Sequence, residues 1–230
     1  MTATRSTSAT DSETAPGLVS AGVSINYTIW EAHCDRLERL AAECPHVRLG
    51  GKNAKDSPRA REHKNRDAWG CLWHFPGQYL DGVVIEHPLA DWEAMDAWTP
   101  PSPDERVARA QADAEAARQE GRRLSVGMEH GFLFLRLTYL RGFENFMVDV
   151  AEDHPKLYEL RDIVTEYWLA IVRAYLEAGA THVGGGDDLG LQDRLPISPP
   201  AWRKLLKPAF TRIFSLAREH GASVYLHTDR

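Results

Sequence analysis

Cysteine is scarce in this chain, and no two cysteines stand at close spacing. Cys34, Cys44 and Cys71 are an odd number without a CxxC pair. That argues against a disulfide framework and against a structural zinc site, and it points to a reducing, cytoplasmic compartment. A basic surplus is also missing: the formal net charge is −6 and the pI about 5.9. Nucleic acid and anionic membranes need a basic face, so both are disfavoured and a small molecule is the expected partner. Long apolar runs are missing too. The most apolar stretch, Tyr167 to Leu176, is broken by Arg173 and is too short to span a bilayer. Residues 1–22 are rich in Ser, Thr, Ala and Gly, hold no signal-peptide core, and read as a disordered tail.

The chain as a whole is 43% hydrophobic and 26% charged, which is ordinary for a globular protein, so residues 23–230 are expected to form one folded domain. Trp30 to Glu43 places Leu37, Leu40 and Ala41 on one helical face, and the basic, polar Lys52 to Arg66 reads as a loop. Asp67 to Phe75 and Val83 to Glu86 predict two hairpin strands. Ser102 with Glu105 forms a capping box that opens an Ala-rich helix ending at Gly121. Leu124 to Met128 predicts a strand, and Phe132 to Val150 a helical segment interrupted near Gly142. Asp153 and Pro155 open a helix with Leu157, Leu160, Val164, Tyr167, Ile171 and Tyr175 on one stripe and Gly179 as its stop. Trp202, Leu205 and Leu206 belong to a short helix, Pro208 starts or kinks the next, and Gly221 ends it before a strand over Ser223 to His227. Strand and helix alternate after residue 124, so parallel strands with crossover helices are expected.

The most informative stretch runs from Thr181 through Gly184-Gly185-Gly186-Asp187-Asp188 to Gln192. Glycines at a strand end let a ligand or a neighbouring strand approach the backbone, and two acids there point to ligand binding or chemistry. The competing reading is that Asp187 and Asp188 cap turns, which Asp does readily. His130 and Glu129 end their strand in the same way, as does His227. An imidazole at such a place serves as a metal ligand or as a general acid and base.

Several motifs, in order, resemble the uroporphyrinogen decarboxylase superfamily in its methyltransferase-like branch. They are Asp67-Ala68-Trp69-Gly70, Glu86-His87-Pro88-Leu89-Ala90-Asp91-Trp92, Leu140-Arg141-Gly142-Phe143-Glu144, Gly186 to Gln192, Ile197-Ser198-Pro199 with Trp202 and Lys207-Pro208, and Leu226-His227-Thr228-Asp229. The resemblance implies an α/β fold of the (β/α)₈ TIM-barrel type. A whole barrel takes about 250 residues, so the chain is expected to hold the N-terminal half to two thirds of one, behind an N-terminal helical and hairpin extension.

The resemblance implies catalytic roles for Asp67, Tyr139 and His227, and substrate binding by Asp187, Asp188, Gln192 and His130. Asp67 stands where the decarboxylases carry an aspartate that faces a cationic pyrrole, and its rival reading is a hairpin cap. Tyr139 stands where they carry an orienting tyrosine, and its rival reading is a core residue with its hydroxyl satisfied. The early Arg-Gln-Ala-Gly-Arg loop of the decarboxylases is absent before Asp67; Arg118-Gln119-Glu120-Gly121-Arg122 imitates it, but inside a helix end. Zinc methyltransferases resemble one another in His-x-Cys where this chain reads His227-Thr228-Asp229, a harder donor pair.

Decarboxylation of a tetrapyrrole-like or other carboxylated substrate, without any required cofactor, is the first expectation. Methyl transfer with a corrinoid protein as partner, with zinc or corrinoid as cofactor, is the second. An inactive fragment or binding module is the third, and a homo-oligomer is compatible with each.

Overall fold

In the computed structural model, which describes residues 21–25, 27–50, 60–78 and 80–229, the strand Ala21–Ser24 (β1) pairs in parallel with Val47–Gly50 (β2). The helix Tyr27–Glu43 (α1) joins them and bends at His33. Trp30 anchors it by donating its indole N–H to the Gly50 carbonyl at 2.9 Å. The face expected to be buried is shallow: Leu37 is half-buried and Leu40 exposed, because α1 has only a two-stranded pair to cover. Ala21 and Gly22 belong to β1 and not to the tail; residues 1–20 lie outside the described set.

Glu62–Arg66 (β3), Leu72–Pro76 (β4) and Val83–Glu86 (β5) form a second sheet in that order. The segment expected as a loop therefore ends in a strand, while residues 52–59 of it lie outside the described set. The strand expected from Asp67 begins only at Leu72. Asp67 Oδ1 accepts the N–H groups of Trp69 at 3.0 Å and Cys71 at 2.9 Å, which folds residues 67–71 into a turn.

The chain divides into two units: Met1–Asn65 with Leu72–Ile85, and Arg66–Cys71 with Glu86–Arg230. The second contains a 3₁₀ turn at Trp92–Asp96 and the helix Asp104–Gln119 (α2), whose N-cap is Pro103 and not Ser102; Ser102 Oγ accepts the Asp104 N–H at 3.1 Å in place of the Glu105 N–H that the expected capping box would use. There follow Ser125–His130 (β6), Phe134–Arg141 (α3), Phe143–Glu152 (α4) and Pro155–Glu177 (α5). His182–Gly186 (β7), Pro199–Leu205 (α6), Lys207–Glu219 (α7) and Ser223–His227 (β8) complete it.

The long helix α5 forms where proline at its first turn, the His154 cap on the Lys156 N–H and an apolar stripe coincide. Leu157, Leu160, Val164, Trp168, Ile171 and Tyr175 are buried along it, with Trp168 rather than Tyr167 on the innermost line. Each fully buried aliphatic side chain on this stripe contributes about 1.5–3 kcal/mol. Gly179, at φ 95°, ends the helix in a conformation that favours glycine.

The strands β6, β7 and β8 make one parallel sheet, with α3 to α5 crossing over between the first pair and α6 and α7 between the second. Val126, Met128 and Val183 point to the buried side, where α5 packs against α2 and α7; Ser125, Gly127, Tyr225 and His227 are exposed. The expected alternation is present, and the sheet portions are parallel. No closed barrel forms among the described residues, because the parallel sheet holds three strands. The barrel expectation reduces to a mixed α/β fold.

Candidate functional site

Parallel strands carry their C-terminal residues to one end, and three chemically able side chains meet there. His130 closes β6, Asp188 follows β7 by two residues, and His227 closes β8. One ligand atom from each lies within 4.8 Å of the other two. The His130 and His227 rings are 5.8 Å apart between centroids. His130 Nε2 stands 3.1 Å from Asp188 Oδ1, close enough for an ion pair, yet that oxygen is buried with no hydrogen-bond partner.

The glycine run explains how the histidine enters. A Cβ on Gly186 would stand 2.6 Å from His130 Cδ2, so the ring lies directly over a bare backbone. A Cβ on Gly185 would meet Met128 and Phe132 at 3.0 to 3.1 Å on the opposite, buried face. The irregularity between Gly127 and His130 in the β6–β7 register re-aims the end of β6, and Gly131 N–H closes on the Gly186 carbonyl at 2.7 Å.

Asp187 turns the other way. It is fully buried, and its two oxygens accept the N–H groups of Leu133 at 3.3 Å, Phe134 at 2.6 Å and Leu135 at 3.0 Å. These are donors at the start of α3, so the carboxylate satisfies a helix N-terminus. Burial pushes its pKa up to about 6, against the opposing pull of those N–H groups and of His130. The substrate-binding expectation for Asp187 gives way to the capping reading, because both oxygens are already engaged within the chain. Gln192 and Asp229 are exposed. Asp229 stands outside the metal-capable group of three found among the described residues, which His227 joins.

A second charged group gathers Asp67 and Tyr139. Arg136, 1% exposed, donates to Asp67 Oδ2 at 2.8 Å and to Glu129 Oε2 at 3.0 Å. Its guanidinium lies 5.3 Å from the Trp69 ring centroid and 5.7 Å from that of Tyr139. Asp67 thus has one oxygen in the turn and the other on Arg136. Cys71 sits beside it and donates to the Tyr139 carbonyl at 3.3 Å; burial, aided by the Asp67 charge, pushes its thiol up to about 12. Of the residues expected to share catalysis, Asp67 and Tyr139 surround Arg136, and His227 belongs to the strand-end group.

Sequence reasoning missed Arg136. The available signal was a lone cation in the apolar stretch Phe132 to Leu140, which can be buried only if carboxylates meet it. It also missed the role of Arg141, which donates to the carbonyls of Leu89 and Ala90, pairs with Asp149 Oδ2 at 2.7 Å and lies 4.0 Å from the Trp92 ring centroid. Two of the motifs behind the family resemblance, around Leu89 and around Arg141, therefore hold each other in place. Trp69 and Trp92 are packing residues, since Trp69 is 2% exposed and Trp92 donates to Asp149.

Fold and site together define a mixed α/β chain with a polar cluster at the C-terminal end of a parallel sheet. No family model matches the chain, and no curated protein sequence matches it. Among solved structures it is similar to a methyltransferase from Methanosarcina mazei, with 20% identity and a TM-score of 0.49, over 71% of this chain and 48% of that one. The chain thus spans about half the length of that protein, and the likeness is too slight to fix an activity. No helix among the described residues is long and apolar enough to cross a membrane.

Proposed function

We propose that the chain carries the active end of an enzyme in the methyltransferase-like branch of the uroporphyrinogen decarboxylase superfamily, acting on a small-molecule thiol with a corrinoid protein as methyl donor. The observation that supports this reading is the convergence of His130, Asp188 and His227 at the strand ends. An entering thiol must lose its proton before it attacks, because the thiolate is the nucleophile. When no ion occupies the cluster, either imidazole can take that proton, and the Asp188 carboxylate stands 3.1 Å from His130 Nε2. The corrinoid supplies the methyl group: the C–S bond forms as the Co–C bond breaks, and the electron pair stays on cobalt. Decarboxylation fits the site less well, since Asp67, the carboxylate it would need opposite a cationic ring, is engaged by Arg136 and by its own turn.

Methyl transfer from methylcobalamin to a panel of thiols, followed by absorbance with and without added zinc, tests the reading. Catalysed, thiol-dependent demethylation that is lost in His227→Ala is expected. A folded protein that transfers no methyl group to any thiol, or a rate unchanged in His227→Ala, overturns it.

A further inference from the structure

We infer that His130, Asp188 and His227 form a divalent transition-metal site, made from the ends of three different strands and independent of Asp229. The inference rests on this cluster and not on the reaction proposed for it.

The donor set is two imidazoles and one carboxylate, which suits zinc, cobalt(II) or iron(II) and leaves coordination positions open for a ligand. Around such an ion, with bonds of about 2.1 Å, ligand atoms stand roughly 3.4 Å apart. The three donors lie within 4.8 Å of one another, so a side-chain adjustment of about an ångström closes the set. Both imidazoles have room for it, since His130 and His227 are exposed.

Three further observations separate this cluster from a chance surface grouping. Asp188 Oδ1 is buried and has no hydrogen-bond partner, although His130 Nε2 is only 3.1 Å away. A buried carboxylate oxygen without a donor is costly, and an ion between it and the two rings would satisfy it. Moreover, Gly186 leaves just the gap that the His130 ring fills. The backbone around the donors is also tied together at the same place. Thr228 Oγ1 accepts the Leu189 N–H at 3.1 Å, and the Asp187 N–H donates to the His227 carbonyl at 2.9 Å, so the loop bearing Asp188 is held to the strand bearing His227.

The test is titration of metal-stripped protein with cobalt(II), read by its visible absorption, and with zinc, read by calorimetry. One ion per chain is expected to bind. Asp188→Asn, His130→Gln and His227→Gln should each weaken binding by at least about tenfold, and Gly186→Ala should do the same by displacing the His130 ring. Asp229→Asn should leave affinity within about twofold. Circular dichroism melts confirm that each variant is folded. Absence of stoichiometric binding, unchanged affinity in Asp188→Asn and His130→Gln, or loss of binding in Asp229→Asn overturns the site. Metal binding with no methyl transfer would leave the site standing and sink only the proposed reaction.

Discussion

Two charged groups are built from neighbouring residues of one strand, and they are opposites. Glu129 contributes to the Arg136 group and His130 to the strand-end group, since the register irregularity at the end of β6 re-aims these successive side chains. Around Arg136 the charges are sunk and matched: the arginine side chain is 1% exposed, Asp67 is 6% exposed, and each has partners. At the strand ends His130 is 54% exposed, Asp188 29%, and an Asp188 oxygen has no hydrogen bond. A closed network holds a fold together, while an open one has donors left for something else.

The largest way to break this contrast is Arg136→Leu. It leaves Asp67 and Glu129 without their cation, and removing one partner of a buried ion pair costs about 3–5 kcal/mol. Urea denaturation should report that loss. A change below about 1 kcal/mol would show that the network is not structural.

Asp187 comes next. Asp187→Ala removes the acceptor for three N–H groups at the start of α3 and should cost about 2 kcal/mol when measured at pH 5. The wild-type residue also makes stability depend on pH. Its carboxyl is raised from 3.8 to about 6 in the folded protein. The folded state therefore keeps the proton that the unfolded chain releases, so this contribution is fully present below about pH 4, falls as pH rises to about 6, and is flat above. The total is roughly 3 kcal/mol, from about 1.4 kcal/mol for each tenfold difference in proton affinity between the folded and unfolded chain. Asp187→Ala should flatten that part of the stability profile, and a profile unchanged between pH 4 and 6 would refute the assignment.

How much of this the sequence could tell depends on whether the deciding partner was near. Helix α5 was legible because Pro155, the apolar stripe and Gly179 are all local, and its observed bounds, Pro155–Glu177, follow them. The break at Gly142 and the strand ending at His227 were legible for the same reason. Arg136 was not, since its burial is decided by Asp67, which is 69 residues away. Asp187 and Asp188 were seen together but could not be told apart. Their identities are the same, and only the fold turns one to the start of α3 and leaves the other beside His130. Strand β3 was hidden because Glu62–Arg66 has no apolar alternation to announce it.

A smaller effect is expected within the glycine run. Gly185→Ala drives a methyl group against Met128 and the fully buried Phe132, at 3.0 to 3.1 Å. Overpacking of that kind costs about 1–3 kcal/mol, and it falls on the helix-covered face, away from the metal-capable one. Thermal melts should show the loss, with metal affinity retained.

The smallest effect on stability should come from Asp188→Ala, and its size matters most to the comparison. The side chain is partly exposed, and one of its oxygens makes no hydrogen bond. Removing it takes away an attraction to His130 worth little at a solvated position and relieves a desolvated oxygen, two changes of opposite sign. The melt of the metal-free protein should therefore move by no more than about 0.5 kcal/mol in either direction. The neighbouring Asp187→Ala differs by one residue in position and by several-fold in expected cost. If Asp188→Ala instead destabilised the metal-free protein as much as Asp187→Ala, the strand-end group would be a second structural network, and the distinction between closed and open clusters would collapse.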